Sequence, residues 1–259
     1  MSDVPRERFV WYDLMTTDRQ SATSFYSQLI GWGTAPWEGG PQPYTLWTNR
    51  DTPIGGVMDL PEDATAAGAP SHWLAYIGVP DTVATADRVK ELGGQVLHGP
   101  VSIPKVGSFA VLADPQGAAF AVFTTEEVTP DTEGSPQDGE FSWHELATTN
   151  HEAAFDFYSK LFGWEKTDAH DMGETGTYQM FGIGGMPLGG MFNKPAEMPG
   201  PPFWLFYIRV GDVQAAVERV KELGGQVLNG PMEVPGGDWI AQCMDPQGAA
   251  FAIHSTKAR

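Results

Sequence analysis

Apolar and polar positions alternate along the chain in an order that predicts short strands and amphipathic helices. The aromatic-rich segment 9–15 predicts a first strand. Asp18 is typical of a helix N-cap, apolar residues follow it at helical spacing, and Gly31 is typical of a helix end. Two short apolar segments, 44–47 and 55–58, predict further strands. The pattern therefore predicts a strand, a helix and a group of strands.

The same order of elements begins again later in the first half of the chain. Segment 73–79 predicts a strand, Asp81 a helix N-cap, and the Gly-Gly pair at 93–94 the end of that helix. Segments 108–113 and 118–123 predict two strands that are joined by an Asp-Pro-Gln-Gly turn. One half of the chain is thus predicted to hold two modules of the same kind.

The sequence repeats itself, and the repeat decides the predicted domain organisation. Three motifs occur once in each half, at a nearly constant offset: RVKELGGQVL (88–97 and 219–228), DPQGAAFA (114–121 and 245–252) and FY followed by GW (25–32 and 157–164). The segment 126–139 is acidic, rich in Pro, Gly, Ser and Thr, and lacks apolar periodicity, which is typical of a linker. We therefore predict a first domain at 1–125, a linker at 126–139 and a second domain at 140–259.

Composition limits the classes of partner. The chain has 33 acidic and 15 basic residues and a formal net charge of −18. Such a charge repels phosphate backbones and anionic lipid surfaces, so we expect neither a nucleic acid nor a membrane partner. The only cysteine, Cys243, excludes an intrachain disulfide and a cysteine-based metal cluster. The polar N-terminus lacks the apolar segment of a signal peptide, which favours a cytoplasmic location.

The order of modules resembles that of the vicinal oxygen chelate superfamily, which includes glyoxalase I, extradiol dioxygenases and bleomycin-binding proteins. The resemblance depends on FY and GW at the first helix, GG after the second helix and DPQG before the last strand of each half. It covers nearly the whole chain apart from the linker, and it is closest to the two-domain bacterial subgroup called glyoxalase-like or hydroxylase-like. It implies an α+β fold of four βαβββ modules, which form two tandem half-barrel domains, each around one cavity.

The resemblance also implies three metal-ligand positions in each domain. By counting from the helix caps and the DPQG turn, we assign them to Trp11, Leu74 and Ala121 and to Trp143, Leu205 and Ala252. None of these side chains is a metal donor, so we predict neither a metal nor a cofactor. A displaced metal site stays open as an alternative if His144 and Glu145 face the same cavity. Strand alternation favours opposite faces, with His144 packed or hydrogen-bonded.

Polar residues remain near these positions. Residues two apart on a strand share a face, so Asp13 and Glu145 are predicted to point into the cavities, and His254 to share a face with Ala252. Glu145 and His254 then form a candidate catalytic carboxylate–imidazole pair in the second domain. The first domain has Phe123 in place of the histidine. A surface ion pair is the alternative interpretation of Glu145 and His254.

Aromatic side chains are concentrated on the predicted strands, and the cavity face of each sheet is expected to carry part of them. The predicted substrate-binding residues are Trp11, Asp13, Tyr44, Trp47, His72, Trp143, Tyr178 and Phe181. The glycine pairs at 55–56 and 189–190 indicate a close backbone approach or a bulge rather than a phosphate loop, because no helix follows them.

Three functions are compatible with these features. A metal-free protein that binds a small hydrophobic or aromatic molecule requires only the cavities, and we rank it first. The second is an enzyme of the lyase, isomerase or oxygenase type, like glyoxalase I, which has displaced metal ligands or uses metal-free acid–base catalysis by Glu145 and His254. The third is an interaction scaffold. Both a monomer and a homodimer agree with the sequence.

Overall fold

A computed structural model describes residues 7–39, 43–66, 68–125, 135–173, 176–198 and 200–256 of the chain. The elements of the first half are β1 (Phe9–Thr16), α1 (Arg19–Ile30), β2 (Gly33–Trp37), β3 (Tyr44–Asn49), β4 (Thr52–Asp59), α2 (Glu62–Ala66), β5 (His72–Gly78), α3 (Thr82–Glu91), β6 (Gln95–Ile103), β7 (Gly107–Ala113) and β8 (Ala119–Thr125). Those of the second half are β9 (Phe141–Thr148), α4 (His151–Phe162), β10 (Glu165–Asp171), β11 (Thr177–Ile183), β12 (Met186–Asn193), β13 (Phe203–Arg209), α5 (Val213–Glu222), β14 (Gln226–Glu233), β15 (Trp239–Met244) and β16 (Ala250–Ser255).

The four long helices begin at polar residues that cap them. The caps are Asp18, Asp81, Asn150 and Asp212, and each side chain accepts at least one hydrogen bond from a backbone N–H of the first helical turn. Gly31 and Gly163 end α1 and α4 in the left-handed conformation that glycine adopts without strain. The predicted caps and helix ends are therefore confirmed.

The strands form two open eight-stranded sheets, one from each half of the chain. Their strand orders are β2-β3-β4-β1-β5-β8-β7-β6 and β10-β11-β12-β9-β13-β16-β15-β14. Each half contains two parallel pairs, β1 with β4 and β5 with β8, then β9 with β12 and β13 with β16. Two such mixed sheets with helices confirm the predicted α+β class and the four βαβββ modules.

The βαβββ order implies a strand directly after each long helix, but the residue pattern did not locate it. These strands are β2, β6, β10 and β14, and each lies at an edge of its sheet with mostly exposed or half-buried residues. An edge strand needs no apolar face when its backbone groups pair with one neighbouring strand. Since the prediction depended on apolar runs, it found only the more buried strands of each module. The short helix α2 was also missed.

The described residues form two compact units, and these units do not coincide with the two halves of the sequence. The first unit takes residues from 1–11, 75–133 and 143–204, and the second unit takes the rest, from 12–74, 134–142 and 205–259. Each unit therefore combines the helix and the following strands of one module from either half, and the boundaries between the units fall within the first strand of each module. Of the predicted linker 126–139, the part at 126–134 lies outside the described residues, whereas 135–139 belongs to the second unit.

Each unit has its own aromatic core. In the first unit, the ring of Trp164 stacks on Phe181 at 4.5 Å and lies 5.4 Å from Tyr158, by ring centroids. In the second unit, Trp32 lies 5.4 Å from Trp47 and 5.9 Å from Tyr26.

Within the described residues, no helix is both long and apolar enough to cross a bilayer.

Candidate functional site

The first unit brings three predicted site residues together. Trp143 and Glu145 lie two residues apart on β9, and Tyr178 lies on β11. The Tyr178 hydroxyl donates to Glu145 Oε2 at 3.1 Å and accepts from Trp143 Nε1 at 2.7 Å. Glu145 is only 8% exposed, whereas both aromatic rings are partly exposed. Burial, and then the charge of Glu145, raise the pKa of Tyr178 well above its ordinary value, so the phenol stays protonated and remains a donor.

The second unit has the equivalent pair. Tyr44 on β3 donates from its hydroxyl to Asp13 Oδ1 on β1 at 2.6 Å, and Asp13 is 5% exposed. Tyr44 is partly exposed, as Tyr178 is. Trp11, the counterpart of Trp143, is partly exposed and belongs to the first unit. We call these two arrangements the tyrosine–carboxylate clusters, Tyr178 with Glu145 and Tyr44 with Asp13.

A glycine beneath each tyrosine ring makes this geometry possible. A Cβ atom on Gly190 would lie 2.1 Å from Tyr178 Cε1, and one on Gly56 would lie 2.0 Å from the Tyr44 ring. Gly190 is in register with Glu145, and Gly56 with Asp13, so each ring crosses over the glycine to reach the carboxylate on the next strand.

The other glycine of each pair serves strand packing. A Cβ atom on Gly189 would lie 1.9 Å from the carbonyl oxygen of His144, and one on Gly55 would lie 2.1 Å from that of Tyr12. Both contacts are far shorter than van der Waals distance, so neither position accepts a side chain. The predicted close backbone approach at both glycine pairs is confirmed.

The candidate pair of Glu145 and His254 falls in different units, and each residue has its own partners. His254 Nδ1 lies 2.9 Å from Ser142 Oγ, and its Nε2 lies 3.1 Å from Asp238 Oδ2. Ser142 and Asp238 were missed by the sequence analysis. A difference between the halves is the signal that could have found them. Ser142, Asp238 and His254 correspond to Val10, Gly107 and Phe123 in the first half, where no polar side chain is present. The pairing of Glu145 with His254 stays a prediction.

Two further histidines have clear positions. His144 is buried, stacks on Phe9 at 3.8 Å with an interplanar angle of 7°, and donates from Nδ1 to the Leu188 carbonyl at 2.6 Å. Burial lowers the pKa of His144 to about 4, so the ring is neutral at pH 7. This confirms the prediction of a packed histidine. His72 is partly exposed, and its Nδ1 donates to the Pro70 carbonyl at 2.8 Å.

Trp47 and Phe181 occupy equivalent positions on β3 and β11 and are fully buried in the two aromatic cores. Among the described residues, the Trp47 Nε1 atom has no hydrogen-bond partner. A contact of either ring with a ligand stays a prediction.

The six positions assigned to metal ligands do not fit a metal ion. They carry indole, isobutyl and methyl groups, and Leu74, Leu205, Ala121 and Ala252 are buried. No group of three or more His, Cys, Asp or Glu side chains within the described ranges is arranged to hold a metal. The chemistry available in the clusters is therefore that of aromatic rings, a phenol and a carboxylate.

Comparisons with known proteins give a consistent family. The family model described as the Glyoxalase/Bleomycin resistance protein/Dioxygenase superfamily matches residues 141–253, and the model of the Glyoxalase-like domain matches residues 10–123. The "Putative glyoxylase CFP32" of Mycobacterium tuberculosis is 32% identical over 246 residues, which cover 94% of this chain and 92% of that protein. The "Anthracycline biosynthesis protein DnrV" of Streptomyces peucetius is 32% identical over 254 residues, with 94% and 91% covered.

Solved structures agree with the fold. The Mn(II)-bound glyoxalase from Novosphingobium aromaticivorans has a TM-score of 0.62 at 17% identity, with 99% of this chain and 83% of that chain covered. The 2,2',3-trihydroxybiphenyl 1,2-dioxygenase of Sphingomonas wittichii RW1 has a TM-score of 0.66 at 14% identity, with 98% and 91% covered. With the two family matches and relatives above 30% identity over nearly its whole length, this chain belongs to the glyoxalase/bleomycin resistance protein/dioxygenase superfamily.

Proposed function

We propose that the protein binds a small aromatic molecule at its tyrosine–carboxylate clusters without a metal ion. The observation that carries this proposal is the duplicated cluster, in which a partly exposed tyrosine ring is fixed to a buried carboxylate across a glycine. A buried carboxylate is a poor way to gain stability, because its desolvation costs free energy that an apolar side chain of similar size avoids. Its presence in both units favours a role in binding.

The geometry suits a flat ligand. In the first unit, two hydrogen bonds fix the Tyr178 hydroxyl between Trp143 and Glu145, so both rings are oriented before a ligand arrives. Ring faces that are already ordered lose little conformational entropy on binding. The carboxylate accepts hydrogen bonds only, so a ligand that carries a hydroxyl or an N–H group complements it.

One relative supports an aromatic ligand class. The protein from Streptomyces peucetius is named for anthracycline biosynthesis, and anthracyclines are polycyclic aromatic compounds. The mycobacterial relative is named a putative glyoxylase, and this name supports the alternative that the protein is an enzyme.

Tryptophan fluorescence tests the binding proposal directly. We expect saturable quenching by naphthol or hydroxyanthraquinone and none by cyclohexanol, which lacks a π system. Glu145→Gln and Tyr178→Phe are expected to weaken binding in the first unit about 10- to 100-fold, the range for loss of a hydrogen bond to a charged group. Asp13→Asn and Tyr44→Phe are the matched changes in the second unit, and calorimetry separates the two sites by stoichiometry.

Two results would contradict the proposal. One is the absence of saturable quenching by every aromatic probe. The other is unchanged affinity in the variant that carries all four substitutions, provided its circular dichroism matches that of the wild type. Elemental analysis of the purified protein is a separate check, because a stoichiometric transition metal would overturn the metal-free part.

A second candidate function is metal-free acid–base catalysis. It is favoured by the partners of His254, since a carboxylate on one ring nitrogen, here Asp238, orients an imidazole for proton transfer to a group on the other side. Glu145 is the other predicted catalytic residue. For any probe that binds, we would follow conversion by mass spectrometry and expect Glu145→Gln and His254→Asn each to abolish it. Conversion at the wild-type rate in both variants would show that these residues are structural.

A further inference from the structure

The repeated FY and DPQG motifs form two buried hydrogen-bond networks, one in each compact unit. In the first unit, the Tyr158 hydroxyl donates to Asp114 Oδ2 at 3.2 Å and accepts from Trp204 Nε1 at 3.1 Å. In the second unit, the Tyr26 hydroxyl donates to Asp245 Oδ2 at 3.2 Å and accepts from Trp73 Nε1 at 2.9 Å. The two networks are the same in composition and geometry.

Each network joins the two sequence halves. Tyr158 and Trp204 come from the second half and Asp114 from the first, whereas Tyr26 and Trp73 come from the first half and Asp245 from the second. The aspartate of the DPQG turn in one half therefore accepts a hydrogen bond from the helix tyrosine of the other half. All of these tyrosine, tryptophan and aspartate side chains are less than a tenth exposed.

The turn fixes the second oxygen of each aspartate. Asp114 Oδ1 accepts from the backbone N–H groups of Gln116 and Ala118 at 2.8 and 3.0 Å. The aspartate is thus held rigidly with Oδ2 directed at the tyrosine, and the same bonds occur at Asp245. A buried carboxylate in such a position needs its partner, because removal of the tyrosine hydroxyl leaves an unsatisfied acceptor.

Apolar contacts surround both networks and also cross between the halves. Phe120 of the first half packs against Phe157 and Tyr158 of the second half, with ring centroids 6.3 and 5.4 Å apart. Phe251 of the second half packs against Phe25 and Tyr26 of the first half at 5.8 and 5.3 Å. Each interface therefore combines a desolvated hydrogen-bond network with an aromatic shell, as a permanent protein–protein interface does.

We propose that the two halves of this chain are obligate partners, which recognise each other through the two tyrosine–aspartate networks. The covalent connection near residues 126–134 is then unnecessary for assembly. Each half contributes one module to each unit, so two separate interfaces hold the halves together. This inference goes beyond the proposed function and does not depend on it.

Cleavage of the full chain tests the proposal. A specific protease site is inserted within 126–134, the folded protein is cut, and the product is analysed by size-exclusion chromatography. We expect both fragments to elute together at the volume of the uncut chain, with unchanged near-ultraviolet circular dichroism. Elution as two separate folded fragments would overturn the proposal. In the cut Tyr26→Phe/Tyr158→Phe variant, the dissociation constant of the halves is expected to rise about tenfold or more; an unchanged constant would overturn the role of the networks.

A double-mutant cycle tests which residues are coupled, and the repeat supplies an internal control. Asp114→Asn keeps the turn acceptor but replaces the oxygen that Tyr158 contacts. We expect Asp114→Asn and Tyr158→Phe to be non-additive in the unfolding equilibrium constant by more than about twofold. The same-half pair, Asp114→Asn with Tyr26→Phe, is expected to be additive. Coupling of the same-half pair without coupling of the cross-half pair would contradict the proposal.

Discussion

The two compact units share one framework but differ in one buried ring, which precedes the carboxylate of each tyrosine–carboxylate cluster in the strand and points to the opposite face. In the first unit Phe9 stacks on His144 with centroids 3.8 Å apart, and in the second unit Phe141 stacks on Tyr12 at 3.6 Å. The same packing geometry thus accepts an imidazole in one unit and a phenol in the other. Burial raises the pKa of Tyr12 and lowers that of His144. Of these two rings, only the histidine takes up a proton below neutral pH, so only the stack in the first unit responds to acid.

A second difference concerns the aromatic cores. The second unit has Trp47 where the first has Phe181, and the Trp47 N–H is buried without a partner among the described residues. The nearby Trp32, in contrast, donates from Nε1 to the Gly139 carbonyl at 2.7 Å. The two cores therefore differ in ring size and in hydrogen bonding at the position of Trp47, whereas Trp32 and its counterpart Trp164 each donate a hydrogen bond from the indole.

The largest effect is expected from acid acting on His144. Its pKa is about 4 in the folded protein and about 6.5 when unfolded, so the unfolded state takes up a proton first as the pH falls. Stability is consequently lost between about pH 6.5 and pH 4, by up to about 3 kcal/mol. Replacement by the residue of the other unit, His144→Tyr, should remove this loss. Denaturant unfolding of both proteins at several pH values measures the difference.

Two other buried groups, Asp114 and Asp245, have the opposite pH dependence. Burial raises the pKa values of Asp114 and Asp245, which makes the folded state more stable relative to the unfolded state as the pH falls, opposite to His144. These groups are present in both proteins, so they cancel in the difference. If the wild type and His144→Tyr showed parallel pH profiles, the buried neutral histidine would be excluded as the cause.

An intermediate effect is expected from closing the space beneath the tyrosine rings. Gly190→Ala places a methyl group within the Tyr178 ring, so the ring must move and its bond to Glu145 is lost. We expect a cost of about 1–3 kcal/mol in unfolding free energy, as for other overpacked sites, and weaker quenching by naphthol. Gly56→Ala is the matched change in the second unit.

Gly211→Ala serves as the control for these glycine substitutions. A Cβ atom there would lie 3.4 Å from its nearest neighbour, an ordinary contact. Its stability should match that of the wild type within about 0.5 kcal/mol. A destabilisation by Gly190→Ala no larger than that of the control would show that the ring does not depend on the glycine.

The smallest effect is expected at Trp47. Trp47→Phe gives the second unit the residue of the first and removes a buried N–H that has no partner, which offsets part of the lost packing. We expect a change within about 1 kcal/mol. Trp32→Phe should cost more, because it leaves the Gly139 carbonyl without its donor. Thermal unfolding compares the two, and equal destabilisation would contradict the distinction between the two indole groups.

Much of the fold could be predicted because it is encoded locally. The caps at Asp18 and Asp81, the glycine helix ends and the buried strands all follow from residue type and periodicity within short windows. The close approach at the glycine pairs was predicted for the same reason. The edge strands β2 and β14 were not, because backbone pairing with a single neighbour leaves no apolar pattern to detect.

The candidate site was predictable only in part. Strand alternation correctly placed His144 away from Glu145, and Tyr178, Trp143 and Glu145 were each selected from their strands. Their mutual hydrogen bonds, and the partners of His254, depend on which strands become neighbours. A contact between residues far apart in sequence produces no pattern in the residues next to either of them, so it cannot be predicted from short segments.

The sequence by itself determined the duplication, the four modules, the helix limits and the family resemblance, because each depends on short patterns that occur twice. Only the tertiary structure decided that each compact unit takes one module from either half and that Tyr158 meets Asp114 rather than Asp245. The DPQGAAFA motif is identical in both halves, so no local feature distinguishes the two aspartates. Their partners are settled by long-range packing, in which the buried tyrosine, tryptophan and aspartate groups satisfy one another.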